Sequence, residues 1–165
     1  MTRISLALLL LLSAVTSADA QYFGRNKVQY DSPELLVLQT PHFDIYYAHS
    51  DHDAVQIAAK MAERWYERLS GIFQHTFTRR QPVVLYGSHA QFAQTSIIPG
   101  FIGDGVGGFT DHLAGRVVLP FAAGMRDTDH VLGHELVHAF QRDILRQQHR
   151  SLGSLPLWFT EGMAE

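Results

Sequence analysis

His134-Glu135-Leu136-Val137-His138 lies inside a segment, Asp127 to about Gln148, whose apolar spacing predicts a helix. Residues four apart on a helix sit about 40° apart around the axis and one turn along it. His134 and His138 can therefore aim both imidazoles at one point, with Glu135 on the shoulder of the same face. Neutral imidazoles at this spacing suit Zn²⁺, and a carboxylate on the shoulder can take a proton from a water at that point without being a ligand. Asp127 or Thr128 is the expected helix cap. Leu132, Leu136, Ala139, Phe140 and Ile144 form the expected apolar face, and Gly133 allows close approach of a neighbouring strand. Arg142, Arg146 and Arg150 suit the negative end of the helix dipole.

Two histidines leave such a site one protein ligand short, because a catalytic zinc usually has three. The best candidate is Glu161, in Pro156-Leu-Trp158-Phe-Thr-Glu161-Gly162-Met-Ala-Glu165. Pro156 suits the first turn of a new helix, which puts Glu161 one to two turns in. The 22 residues between His138 and Glu161 let the first helix finish, the chain turn at Ser151-Leu-Gly-Ser154, and a second helix return beside the first. Glu165, four residues beyond Glu161 and on the same predicted helical face, is placed to accept the other ring N–H of a ligating histidine.

His134-Glu-x-x-His138 followed by Trp158-x-x-Glu161-Gly-x-Ala resembles the gluzincin metallopeptidases of the peptidase MA clan. The Glu-Gly-x-Ala part is similar to the third-ligand segment of their aminopeptidase-like branch. With Tyr22-Phe-Gly-Arg-Asn-Lys-Val and the stretch His42-Phe-Asp-Ile-Tyr-Tyr47, the chain looks most like secreted bacterial peptidase-MA-like domains that often precede a β-propeller. The resemblance implies that His134, His138 and Glu161 ligate one zinc and that Glu135 is the general base. It also implies a peptide or protein substrate, and a later Tyr or His for the oxyanion, for which the sequence offers no candidate. The chain departs from the aminopeptidase pattern in lacking a Gly-Ala-Met-Glu-Asn segment.

The length of 165 residues suggests one domain, and 46% hydrophobic and 18% charged residues describe a globular chain. The net charge of −3 is too mild to argue for a nucleic acid or an anionic membrane as partner. With no cysteine, disulfides and thiolate metal sites are excluded. Residues 1–20 read as a secretory signal peptide: Arg3, the leucine-rich run Ile4 to Leu12, and an Ala18-Asp-Ala20 cleavage site. The run is too short to span a bilayer. A secreted or periplasmic chain starting at Gln21 is expected, and the loss of Arg3 and Asp19 leaves its charge unchanged.

Residues 21–39 have no clear period and are expected to form an extended arm on the domain edge; 40–165 form the domain proper. Phe43, Ile45 and Tyr47 alternate with His42, Asp44 and Tyr46, which predicts a strand. Asp51 to about Phe77 reads as a long helix capped by Asp51 or Asp53, with Ala54, Ile57, Ala58, Met61, Trp65, Leu69, Ile72 and Phe73 as its stripe. Val83–Tyr86 reads as a strand, and Ser88–Thr95 as a helical turn or two with Phe92 inward. Gly103-x-Gly105-x-x-Gly108 matches the dinucleotide fingerprint formally, but it leads into a turn and a strand rather than a helix. These glycines instead suit a loop passing close to neighbouring backbone. Gly107–Thr110 and Arg116–Leu119 can pair as a hairpin, a candidate substrate edge by strand addition or an ordinary sheet edge.

The fold expected is α+β and zincin-like: a small, mostly antiparallel sheet packed on long helices, with the His-Glu-x-x-His helix central. The function expected is zinc-dependent peptide hydrolysis. The alternative is a zinc-binding but inactive peptidase-like binding or assembly module, and a metal-free structural domain is a third reading. His130 is assigned to the surface or the cleft rim. His42, His49, His52, His75, His89, His112 and His149, which have no partner at ligand spacing, are assigned to surface or packing roles. The end of the sequence at Glu165 without a helix-stop signal suggests a longer protein.

Overall fold

The computed structural model describes residues 27–30, 34–150 and 152–165; the expected signal peptide (1–20), residues 21–26, residues 31–33 and Ser151 lie outside the described residues. Strand β1, Leu35–Gln39, forms within the stretch expected as an arm. It pairs antiparallel with β2, Phe43–Ala48, whose Phe43, Ile45 and Tyr47 turn inward as their alternation requires. Helix α1, His52–Phe73, then carries the chain to β3, Gln81–Tyr86, which pairs parallel with β2. A short helix α2, His89–Ala93, is capped by Ser88 Oγ accepting from Gln91 N–H, and its Phe92 is fully buried. Strands β4, Phe109–Asp111, and β5, Arg116–Pro120, form the expected hairpin. Helix α3, Met125–Gln147, and helix α4, Leu157–Gly162, complete the described chain.

The sheet order is β1-β2-β3-β5-β4. Its two outer pairings are antiparallel and its two inner pairings parallel, so the sheet is mixed rather than mostly antiparallel. The inner strands are covered on both faces. Phe43, Ile45, Val83, Leu85, Val117 and Leu119 pack in the main core with α1 and α3. Val84 and Val118 face a second cluster with Phe92 and Ile102. Burial on both sides is the condition under which parallel strands are found, and it explains the unbroken apolar runs Val83-Val84-Leu85 and Val117-Val118-Leu119.

Four local expectations differ from the structure. Helix α1 ends at Phe73, not Phe77, because Gln74 adopts a left-handed conformation (φ 50°) and its N–H bonds back to Ser70 O. The reversal lets Phe77 pack on Phe140, ring centroids 4.3 Å apart. The buried face of α1 is Val55, Ala58, Ala59, Ala62, Tyr66 and Leu69, while Ile57 and Ile72 are 46% and 60% exposed. Ala58 and Leu69 of the expected stripe are buried and its Met61, Trp65 and Phe73 pack against the core, so the inward face overlaps that stripe but is turned toward Val55, Ala59, Ala62 and Tyr66. Asp51 occupies the N-cap position of α1 but makes no side-chain cap hydrogen bond, and the N-cap of α3 is Gly124, ahead of Asp127 and Thr128. Thr128, fully buried in the first turn, instead accepts from Ala122 N–H (3.0 Å) and donates to Gly124 O (3.2 Å).

Gly133 does meet a close neighbour, but it is the Trp65 ring of α1 and not a strand. The expected close passage of the glycine loop occurs at its end. A Cβ on Gly108 would lie 3.0 Å from Leu119 Cβ and 3.2 Å from Val118 O, whereas Gly105 has open space.

Candidate metal centre

α3 crosses the sheet as its best-buried helix, so its polar groups are held by their surroundings. Glu135 is 6% exposed and His138 7%. His134 Nε2 and His138 Nε2 lie 3.2 Å apart, as the four-residue helical offset permits. The chain leaves α3 at Gln147, passes a 3-10 turn at Leu152–Ser154, and returns as α4 with Pro156 at its N-cap. The return brings Glu161 Oε2 to 3.5 Å from His134 Nε2 and 3.4 Å from His138 Nε2.

These three residues could hold a metal ion. Two imidazole nitrogens and one carboxylate oxygen are a donor set typical of catalytic zinc. Ligands about 2.0–2.1 Å from a tetrahedral ion stand about 3.3 Å from one another, and the three separations here are 3.2, 3.4 and 3.5 Å. The donor set and its spacing thus fit zinc.

Glu135 stays outside this triangle. Thr110 Oγ1, on β4, donates to Glu135 Oε2 (2.8 Å) and lies 3.0 Å from Glu135 O. Burial pushes the Glu135 carboxyl above its ordinary value; the Thr110 hydrogen bond and the His138 and His134 charges pull it back only in part, and Glu161 pushes it up further. Glu165 lies beyond the end of α4 at Gly162 and so is not on that helix's face. Its Oε1 is 4.0 Å from His134 Nδ1, near it but outside hydrogen-bond reach.

The centre opens into a cleft of about 650 Å³. One wall is the hairpin, with Gly108, Phe109, Thr110 and His112; the other is Gly153, Leu155, Leu157 and Thr160. His112 therefore belongs to the cleft and not merely to the surface. Its turn is braced from α3 by Arg142 Nε, which donates to His112 O at 2.7 Å, and within the turn by Asp111, which accepts from Leu113 N–H (3.0 Å) and Ala114 N–H (3.2 Å). Desolvation, then the charges of His138 and Arg142, hold the His112 imidazole below its ordinary pKa.

The remaining histidines are held elsewhere. His42 stacks on Tyr66 and pairs with Glu63 at 2.7 Å. His75 reaches Asp143 at 2.9 Å and ties the end of α1 to α3. His52 meets the Tyr47 hydroxyl at 3.1 Å. His130, exposed, flanks the continuation of the cleft past His134 and Glu135.

Sequence reasoning missed Thr110, Gln141 and His112. For Gln141 a signal existed: it stands three residues after His138, one turn along the same helix face. Thr110 and His112 carry no local signal, since only sheet pairing brings them to α3. The chain matches no protein-family model, no curated protein and no solved structure.

Proposed function

We propose that this chain is a zinc-dependent metallopeptidase of the gluzincin type, exported through its N-terminal 20 residues to the periplasm or the exterior. One observation carries the reading: His134 Nε2, His138 Nε2 and Glu161 Oε2 converge within 3.2–3.5 Å beside a buried Glu135. His134, His138 and Glu161 would hold one zinc ion, which when bound supplies a Lewis acid that polarises a peptide carbonyl and acidifies a water.

Glu135 is the base for that water. With Oε2 engaged by Thr110, Oε1 takes the proton and returns it to the leaving amine nitrogen. Among the described residues β4 ends the sheet order, and its Phe109 and Thr110 line the cleft. A substrate segment added there as a further strand would run past Glu135. Among the described residues no helix is long and apolar enough to cross a membrane.

Zinc per chain in the wild type and in Glu161→Ala is the first measurement, followed by cleavage of a broad peptide mixture by the wild type and Glu135→Gln. About one zinc in the wild type, a clear loss in Glu161→Ala, and turnover abolished in Glu135→Gln with zinc retained are expected. No zinc in the wild type refutes the reading. Equal cleavage by Glu135→Gln refutes the base assignment, and zinc without turnover turns the reading to a binding module.

A further inference from the structure

We propose that Gln141 is a positioning residue whose side-chain amide clips the His138 imidazole to the backbone that carries Glu161, and so sets the metal affinity of the centre. The inference rests on the metal-binding reading above.

Gln141 is 4% exposed. Its amide meets two partners: His138 Nδ1 lies 3.0 Å from Oε1, and Nε2 donates to Thr160 O at 3.0 Å. An amide has one accepting end and one donating end, and a backbone carbonyl can only accept. The NH₂ end must therefore face Thr160. Turning the amide over would set Oε1 against Thr160 O and leave a buried acceptor unpaired, which costs about 1–3 kcal/mol.

With that orientation fixed, Oε1 can only accept from the ring, so His138 Nδ1 carries the hydrogen. A neutral imidazole protonated at Nδ1 keeps its lone pair on Nε2. That nitrogen is the one facing His134 Nε2 and Glu161 Oε2. The amide thus selects the tautomer that a metal ligand needs, against the solution preference of histidine for the Nε2–H form.

The other end of the clip acts on α4. Thr160 immediately precedes Glu161, is 4% exposed, and anchors the first turn through Oγ1 donating to Leu157 O at 2.9 Å. One side chain therefore orients a ligand on α3 and locates the residue next to a ligand on α4. Among the described residues His134 has no comparable support: its Nδ1 is 4.0 Å from Glu165. The two histidines are unequally held, and the stiffer one is held by Gln141.

Two measurements test this, and neither depends on turnover. In metal-free wild-type protein, ¹⁵N spectra of the histidine rings should show His138 as the Nδ1–H tautomer, and Gln141→Met should move it toward Nε2–H. Zinc affinity, measured by competition with a chromophoric chelator, should fall roughly 10–100-fold in Gln141→Met, as for other partners of ligating histidines. The loss should be smaller in the Glu161→Ala background, where the α4 end of the clip no longer serves a ligand. His138 in the Nε2–H form in wild-type protein overturns the proposal even if Gln141→Met fails to fold. A zinc affinity in folded Gln141→Met within about twofold of wild type overturns it as well. A wild type that binds no zinc defeats the metal reading instead, and the tautomer spectrum separates the two failures.

Discussion

Gly133→Ala is a test in which two ordinary effects have opposite signs. In a helix interior alanine is favoured over glycine by up to about 1 kcal/mol. At this position, however, the added Cβ would stand 2.5 Å from Cε2 and Cζ2 of Trp65 and 3.1 Å from Cδ2. Carbon atoms in contact settle at about 3.5–4.0 Å, so helix and ring must separate by about 1 Å. The ring cannot swing away freely. Trp65 Nε1 donates to Asp129 Oδ1 (2.9 Å) and to Asp129 O (3.1 Å), and the Asp129 carboxylate is gripped by Arg64 at 2.6 Å.

Overpacking of this kind costs about 1–3 kcal/mol, and stretching the indole hydrogen bond adds about 1 kcal/mol. Subtracting the propensity gain leaves a net destabilisation of about 1–3 kcal/mol, or roughly 2–10 °C in Tm for a domain of this size. Urea melts should show a lower midpoint at an unchanged slope. In a Trp65→Leu background the space is open, and the same substitution should stabilise by up to about 1 kcal/mol. A Gly133→Ala protein more stable than wild type would refute the close α1–α3 contact. Because His134 is the next residue, the wild-type-background variant should also bind zinc more weakly.

Thr110→Val removes the hydroxyl that holds the Glu135 carboxylate. A hydrogen bond to a charged group contributes about 1.5–3 kcal/mol, so kcat should fall about 10–100-fold with zinc content unchanged, and Thr110→Ser should recover most of it; an unaffected Thr110→Val refutes the role. Phe140 is fully buried against Phe77, Phe73 and Tyr66 at centroid distances of 4.3, 5.7 and 5.6 Å, and Phe140→Ala should cost about 3–5 kcal/mol in denaturant unfolding. Burial pushes the Asp111 carboxyl up, but the Ala114 N–H, the Arg116 guanidinium and the Leu113 N–H outweigh it and hold the group below the ordinary 3.8. A carboxyl depressed on folding adds stability that is present above its unfolded value and lost as pH falls through the folded one. The Tm gap between wild type and Asp111→Asn should therefore be constant well above pH 3.8 and close below it.

Much of the centre's geometry was legible because it is local. The convergence of His134 and His138 needs only helical periodicity, and a helix stop, a turn and Pro156 permit the return of Glu161 without fixing where it lands. Inward Phe43, Ile45 and Tyr47 follow from the two-residue period of a strand. The parallel interior of the sheet was written in Val83-Val84-Leu85 and Val117-Val118-Leu119, but such runs fix burial on both faces without naming the neighbour. The face of α1 was legible only in part: Ala58 and Leu69 lie on the expected stripe and are buried, while Ala59, Ala62 and Tyr66 face inward against neighbours that appear nowhere in the local sequence.

By itself, then, the sequence determined what short-range stereochemistry can enforce: the paired imidazoles, the shoulder carboxylate, the hairpin from Phe109 to Pro120, and an α+β arrangement. Tertiary structure alone decided what depends on residues far apart in the chain. Thr110 meets Glu135 because β4 closes the sheet beside α3. Gln141 meets Thr160 because α4 folds back along it, and Gly133 is required because Trp65 lies across its helix. The physical reason is the same in each case. A hydrogen bond or a packing contact is specified by position to within about half an ångström, and only the assembled core fixes two distant segments that closely.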